Sequence, residues 1–290
     1  MEKRVRIVEV GPRDGLQNEP GLVPLDAKIA FIDALGRSGL AAIEATSFVS
    51  PKAVPQMADA GAVMAGIDRA PDVDYLALVP NERGLDRALE AGIDVAALFT
   101  SATEAFCQAN IHCSIDESFT RFEPVVARAK QAGIAIRGYL SVAFVCPFSG
   151  DVPADEAARV AERLYLLGCD DLCLADTVGR ARPEQVHELI SKLANAVPIE
   201  HMSLHVHDTD GRALDNIDAA LALGIRTFDS AAGGLGGCPF APGAPGNVAT
   251  EKVLAHLQQL GYDTGVDIEA INNAFALVRP YVRAASIVTR

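Results

Sequence analysis

The chain has 290 residues, half of them hydrophobic, and a formal net charge of −13 at pH 7. Such acidity repels polyanions at long range, so we expect neither nucleic acid nor an anionic membrane as a partner. No apolar run approaches the roughly 20 residues that a membrane helix needs, and no apolar signal region follows the amino terminus. These features predict a cytoplasmic protein.

Six cysteines are too few for a disulfide framework in a chain of this size. Their spacings do not resemble a zinc site, so we expect reduced and mostly buried thiols. They are Cys107, Cys113, Cys146, Cys169, Cys173 and Cys238.

Short β-rich runs alternate with amphipathic stretches along the whole chain, without an intervening linker. The predicted strands cover residues 4–10, 41–46, 74–79, 95–100, 135–142, 171–176, 202–207 and 226–231. Helical patterns lie between them, at 25–39, 83–92, 118–133 and 155–168, and each ends in glycine, a frequent helix C-cap residue.

Strands that alternate with helices pair in parallel through right-handed crossovers. Eight such units predict one α/β domain over residues 1–290, a closed (β/α)8 TIM barrel. Residues 268–285 predict an extra C-terminal helix. A doubly wound open sheet is the alternative, because a sequence does not show whether a sheet closes.

In a (β/α)8 barrel the active site lies at the carboxyl ends of the strands. Five predicted strands carry polar residues to that rim. The residues are Arg13 and Asp14 after the first strand, Glu44 on the second, Asp176 on the sixth, His205, His207 and Asp208 on the seventh, and Cys238 and Asn247 in the loop after the eighth.

The stretch 204–209, LHVHDT, places His205 and His207 two residues apart on one strand. Both imidazoles therefore point to the same face, about 7 Å apart. Two hydrogen-bonded core histidines would explain the pair, but Asp14 and Asn247 at the same rim favour a metal site. Two imidazoles, a carboxylate and an amide oxygen suit Mg²⁺ or Mn²⁺ better than structural zinc.

Arg13 beside Asp14 is either an ordinary ion pair or a donor to a developing oxyanion. Glu44 interrupts an apolar strand and needs a partner, for which Arg13 is available; it forms a structural salt bridge or orients the arginine. Cys238 lies in a glycine- and proline-rich loop, where it is either a passive thiol or part of a lid that closes on substrate.

Taken together, these segments resemble the 3-hydroxy-3-methylglutaryl-CoA lyases of the metallolyase barrel superfamily. The similarity runs in order over nearly the whole chain, and the last segment is the most specific. The matching segments are 8–19, 43–52, 113–122, 137–141, 205–209 and 235–251.

The resemblance implies a divalent metal, Mg²⁺ or Mn²⁺, held by Asp14, His205, His207 and Asn247. It implies that Arg13 stabilises an enolate, that Glu44 orients this arginine and that Cys238 takes part in proton transfer. It also implies a homodimer acting on an acyl-CoA thioester. Gln17 is a candidate substrate contact by position, and Lys52 is a weaker one.

We therefore expect a lyase that cleaves 3-hydroxy-3-methylglutaryl-CoA into acetyl-CoA and acetoacetate, as in leucine degradation, with Asp14 or His205 as the base. Some positions depart from the family pattern: Pro20, Ala53, Asp210 and Pro245. These departures keep open a lyase for a longer or differently substituted 3-hydroxyacyl-CoA. A condensing synthase, a pyruvate aldolase and a non-catalytic metal-binding scaffold are further alternatives.

Overall fold

A computed structural model describes residues 3–237 and 246–282. Its strands are β1 (Arg6–Glu9), β2 (Ala42–Ser47), β3 (Asp74–Leu78), β4 (Val95–Ser101), β5 (Ala135–Ser141), β6 (Val145–Cys146), β7 (Gly150–Asp151), β8 (Asp171–Asp176), β9 (Met202–Val206) and β10 (Thr227–Ser230). Eight of them form a closed barrel in the order β1-β10-β9-β8-β5-β4-β3-β2, and every neighbouring pair in it is parallel.

Helices follow the strands and surround the barrel. They are α1 (Leu25–Gly36), α2 (Ala60–Gly66), α3 (Glu82–Glu90), α4 (Glu104–Ile111), α5 (Ile115–Gln131), α6 (Ala154–Leu167), α7 (Pro183–Leu193), α8 (Ala213–Ala222), α9 (Thr250–Gln259) and α10 (Ile268–Val278). Gly168 ends α6 in the left-handed conformation, with φ of 113°, as the glycine pattern predicted.

The closed order of strands confirms the predicted (β/α)8 barrel and excludes the open sheet. Each predicted strand overlaps a barrel strand. The extra C-terminal helix is also confirmed, but it ends at Val278 because Pro280 follows, and residues Arg279–Tyr281 form a 3-10 turn instead. Helix α10 packs against α1 in the outer ring.

Two local features were not predicted from the sequence. Strands β6 and β7 form a small antiparallel hairpin after β5, and each has only two residues, too few to show an alternating pattern. After β1, residues Gly11–Gly15 form a π-helical turn.

The barrel strands are almost entirely buried, and they join the inner helix faces in one large apolar core. The described cysteines, Cys107, Cys113, Cys146, Cys169 and Cys173, are free and buried, in agreement with the prediction. Within residues 3–237 and 246–282, no helix combines the length and apolar character that crossing a membrane requires.

Candidate functional site

Three side chains with metal-binding chemistry converge at the carboxyl end of the barrel. His205 lies on β9, His207 directly follows that strand, and Asp14 comes from the turn after β1. One ligand atom of each residue lies within 4.8 Å of the others. The Nε2 atom of His207 is 3.7 Å from Oδ2 of Asp14. The group is compact enough to hold a single divalent ion.

Asn247 joins this cluster from the other end of the chain. An isolated antiparallel bridge pairs its backbone with that of His207. Its Nδ2 donates to Oδ2 of Asp14 at 2.9 Å and to the carbonyl of Leu235 at 3.0 Å. Its Oδ1 is buried without a hydrogen-bond partner. An unpaired buried acceptor costs about 1–3 kcal/mol, which coordination of a cation would offset. The predicted ligands therefore fit a divalent metal.

The π-helical turn explains how Asp14 and Arg13 come to lie side by side at the rim. Pro12 stands at the start of the turn, where a missing N–H breaks no hydrogen bond. A Cβ atom at Gly15 would approach the Cβ of Leu235 to 2.7 Å, so this position needs glycine for the turn to pack against the loop after β10. Turns of this type are frequent at functional sites.

Arg13 is held rigidly between two carboxylates and is 7% exposed. Its Nε and Nη2 atoms lie 2.8 and 2.7 Å from Oε2 of Glu44, and its Nη1 donates to Oδ1 of Asp14 at 2.7 Å. The prediction that Glu44 has Arg13 as its partner is confirmed. A planar guanidinium fixed in this way is suited to donate to an oxyanion in the adjacent space.

These contacts shift the acidities of the two carboxyl groups in opposite directions. Burial acts to raise the pKa of Asp14, but the Arg13 guanidinium and the two histidines hold it well below its ordinary value. The pKa of Glu44 is raised, because the effect of burial exceeds the opposing effect of the Arg13 charge. Its second oxygen, Oε1, is buried without a hydrogen-bond partner.

Below His205, a buried ion pair positions the ring. The Nδ1 atom of His205 lies 3.1 Å from Oδ2 of Asp229, a residue of β10. Arg137, on β5, donates to the other oxygen of Asp229 at 2.6 Å and to Ser203 at 3.1 Å, and lies 3.1 Å from Asp171. A carboxylate on Nδ1–H leaves the Nε2 lone pair of His205 directed at the site, which is the usual support for a metal-binding histidine.

The groups of this ion pair shift one another's pKa. Burial acts to raise the pKa of Asp229, but Arg137 and His205 lower it. Burial acts to lower the pKa of His205, and the hydrogen bond to Asp229 outweighs it, so that pKa is raised. Sequence reasoning missed both Asp229 and Arg137. The available signal was a charged residue inside a predicted strand, in a mostly apolar strand for Arg137 and between Phe228 and Ser230 for Asp229.

The cluster lies at the floor of a cavity of about 710 Å³. Its polar lining near the cluster includes Gln17, whose Oε1 is buried without a hydrogen-bond partner. The apolar part of its lining consists mainly of Val49, Ala53, Val54, Leu78, Phe99, Phe106, Ile111 and Phe122. Lys52, by contrast, is exposed and does not line the cavity.

The other polar residues of the rim stabilise loops. Asp176 is buried and accepts from the backbone N–H groups of Arg180 and Ala181 at 3.1 and 2.9 Å. Burial raises its pKa despite these hydrogen bonds. Asp208 accepts from the N–H of Ala213 at 3.2 Å, near the start of α8. Neither residue lines the cavity. Cys238, predicted as the loop thiol, lies outside the described residues, as does Pro245.

The sequence matches the family model described as HMGL-like over residues 4–278. It is 50% identical over 267 residues to the hydroxymethylglutaryl-CoA lyase of Pseudomonas mevalonii, and the match covers 92% of this chain and 89% of that protein. It is 51% identical over 270 residues to a cytoplasmic 3-hydroxy-3-methylglutaryl-CoA lyase of Danio rerio, covering 93% of this chain and 81% of the relative.

Solved structures agree with the sequence matches. The HMG-CoA lyase of Brucella melitensis superimposes with a TM-score of 0.94 at 48% identity, covering 97% of this chain and 99% of that one. An HMG-CoA lyase of Acinetobacter baumannii, solved in complex with coenzyme A and 3-methylmalate, gives a TM-score of 0.90 at 40% identity, covering 96% and 92% of the two chains.

Proposed function

The chain belongs to the HMGL-like family, and we propose that it is a carbon–carbon lyase that cleaves 3-hydroxy-3-methylglutaryl-CoA into acetyl-CoA and acetoacetate. One observation carries the proposal. The cluster of Asp14, His205 and His207 lies beside a fixed guanidinium, that of Arg13, at the floor of a large cavity. Relatives named for this activity match the chain along more than nine tenths of its length.

We propose that Asp14, His205, His207 and Asn247 bind one Mg²⁺ or Mn²⁺ ion. The unpartnered Oδ1 of Asn247 and the absence of a cysteine from the cluster of described residues support a cation of this hardness. When bound, the ion acts as a Lewis acid toward the substrate's tertiary hydroxyl and a neighbouring carbonyl oxygen, which makes the hydroxyl more acidic.

The reaction begins with loss of the proton from the tertiary hydroxyl of the substrate. We propose Asp14 or His205 as the base. The electron pair left on oxygen forms the ketone of acetoacetate, the bond between C2 and C3 breaks, and its electrons pass to the thioester as an enolate.

Arg13 stabilises the enolate oxygen by donating hydrogen bonds to it. The arginine needs no rearrangement to do so, because Glu44 holds two of its nitrogens. Fixed donors at the position of a developing negative charge are worth far more than mobile ones. Glu44 is thus a positioning residue in this proposal.

Protonation of the enolate carbon completes acetyl-CoA. We propose that the thiol of Cys238 or a bound water delivers this proton, as the family resemblance implies. Cys238→Ala should then lower turnover by more than about tenfold and leave metal binding unchanged. Near-normal turnover of this variant would remove the thiol from the mechanism.

The cavity above the cluster receives the acyl-CoA thioester, and we propose Arg13 and Gln17 as substrate contacts. The buried, unpartnered Oε1 of Gln17 is an acceptor for a substrate N–H or O–H. A second candidate substrate is a 3-hydroxyacyl-CoA with a larger substituent. It is supported by Ala53, a small residue in the cavity wall.

We also propose that the protein is a homodimer and acts in the cytoplasm. The cytoplasmic lyase of Danio rerio, at 51% identity, supports this compartment, and the mitochondrial lyase of Rattus norvegicus is 46% identical. Cross-linking and light scattering of the purified chain measure the oligomeric state directly.

The decisive experiment incubates the purified protein with Mg²⁺ and 3-hydroxy-3-methylglutaryl-CoA and measures acetoacetate release. We expect release that a chelator abolishes and that added Mg²⁺ restores. A parallel assay with analogues carrying longer C3 substituents distinguishes the two substrates. Absence of acetoacetate with every metal and every analogue would refute the lyase assignment.

A further inference from the structure

Glu9, the last residue of β1, is completely buried. Within residues 3–237 and 246–282 no basic side chain forms an ion pair with it. Burial raises the pKa of this carboxyl group to about 8, although three hydrogen bonds act to lower it. Burying a carboxyl group without a counter-ion costs free energy, which its hydrogen bonds must offset.

Both carboxyl oxygens of Glu9 accept hydrogen bonds from distant parts of the chain. Oε1 accepts from the backbone N–H groups of Gly11 and Ala232, each at 2.8 Å. Oε2 accepts from Oγ1 of Thr250 at 2.7 Å. The hydroxyl of Thr250 also lies 2.8 Å from that of Ser230, the residue paired with Glu9 in the β1–β10 register.

The three donors lie on the segments that carry the site. Gly11 is the first residue of the π-helical turn that presents Arg13 and Asp14. Ala232 begins the 3-10 turn after β10, and Thr250 begins α9, three residues after Asn247. One side chain therefore connects the first ligand-bearing segment with the last.

We propose that Glu9 is a positioning residue that fixes the distance between Asp14 and Asn247, and so the geometry in which the metal binds. This inference rests on the proposed metal site. Glu9 touches neither the ligands nor the cavity, so it acts only through the two backbone segments that it joins.

The test compares Glu9→Ala with Glu9→Gln. The alanine loses every acceptor and leaves two backbone N–H groups unpaired. The glutamine keeps Oε1 for Gly11 and Ala232, and its Nε2 donates to the Thr250 hydroxyl, which then donates to Ser230. We measure Mn²⁺ affinity by electron paramagnetic resonance, and amide hydrogen exchange of the metal-free protein.

Glu251→Ala is the matched control. The Glu251 carboxylate accepts from the N–H of Gly233 at 2.9 and 3.0 Å, on the same turn as Ala232, but it does not contact the π-helical turn. Removing the Glu251 carboxylate loosens the 3-10 turn after β10 but leaves the hydrogen bonds of Glu9 that connect this turn with the π-helical turn. We expect faster exchange at Gly233 and no change at Gly11.

For Glu9→Ala we expect Mn²⁺ affinity about tenfold weaker than in the wild type, the range found for residues that support ligands. Exchange at Gly11 and Ala232 becomes faster. For Glu9→Gln we expect both readouts to stay near wild type. If Glu9→Ala does not fold, Thr250→Val takes its place and weakens affinity about threefold, the effect of one hydrogen bond.

Two results of the affinity measurement would overturn the inference without touching the lyase assignment. One is wild-type Mn²⁺ affinity in Glu9→Ala, and the other is an equal loss in the alanine and glutamine variants. Failure of the wild-type protein to bind Mn²⁺ would instead refute the metal site and the inference together. Unchanged exchange at Gly11 in metal-free Glu9→Ala would show that the carboxyl group holds nothing in place.

Discussion

Two polar layers inside the barrel differ in how completely their groups are paired. The lower layer, toward the amino ends of the strands, consists of Arg137, Asp171, Ser203 and Asp229. There Arg137 binds both carboxylates and the serine, and only its Nε lacks a partner. The upper layer, at the cavity floor, consists of Arg13, Asp14, Glu44, His205, His207 and Asn247. Three buried side-chain atoms of this layer have no hydrogen-bond partner.

The unpaired atoms of the upper layer are Oε1 of Glu44, Nδ1 of His207 and Oδ1 of Asn247. Paired groups in the lower layer hold one another and position His205, whereas the upper layer contains buried polar atoms that lack a protein partner. Leaving a buried polar atom unpaired costs about 1–3 kcal/mol. We therefore assign a structural role to the well-paired lower layer and the proposed chemistry to the upper layer. Substitutions in the two layers should therefore fail in different ways.

The largest effect on turnover is expected from Arg13→Gln in the upper layer. It should reduce kcat by about 10²–10³-fold, because the enolate loses its charged donor. Mn²⁺ affinity should be unchanged or stronger, since a cation beside Asp14 repels the metal. Steady-state kinetics and Mn²⁺ titration measure the two quantities. A kcat within about threefold of wild type would show that Arg13 has no role in the chemical step.

In the lower layer the corresponding loss is one of stability. Arg137→Met leaves Asp229 buried without its cation and should lower the free energy of unfolding by about 3–5 kcal/mol in urea denaturation. Arg182→Met is the control, because it breaks the exposed pair with Asp151 and should cost at most about 1 kcal/mol. Equal losses in both variants would mean that the lower layer contributes no special support.

Asp229 connects the layers, and its substitution should act on metal binding. Asp229→Asn weakens the acceptor for Nδ1–H of His205 and should lower Mn²⁺ affinity by about 10–100-fold. Asp171 contacts Arg137 but not His205, so Asp171→Asn should lower Mn²⁺ affinity less. Isothermal titration of both variants decides between them. If the two lose affinity equally, Asp229 acts through Arg137 alone and not through the ring.

The smallest expected effect is that of a one-unit change of pH on metal affinity. The pKa of His205 is raised, so a fall of pH through the neutral range protonates the ring that we propose as a metal ligand. Apparent affinity should fall by about tenfold per pH unit for each proton displaced. Asp14 should not add to this slope, because its pKa lies well below its ordinary value. A pH-independent affinity would contradict the use of His205 as a ligand.

The fold and the upper layer could be predicted because each leaves a periodic or positional signal. Alternation of strand and helix patterns predicts the barrel, and polar residues at strand ends indicate the rim. The lower layer leaves a weaker signal. Arg137 and Asp229 lie within strands, and the sequence does not show that these two strands face each other inside the barrel. The π-helical turn also escaped prediction, because GPRDG is equally typical of an ordinary loop.

Asp14 and Asn247, whose side chains share a hydrogen bond, are 233 positions apart in the chain. A polypeptide emerging from the ribosome thus reaches Asn247, the last of the proposed ligands, only after the barrel strands have been synthesised, and β1 must wait for β10 before the barrel can close. Incomplete chains therefore cannot sequester the ion in the proposed geometry. If the metal site is as proposed, we expect a chain that terminates upstream of Asn247 to lack tight ion binding, and the appearance of such binding during synthesis would report completion of the barrel.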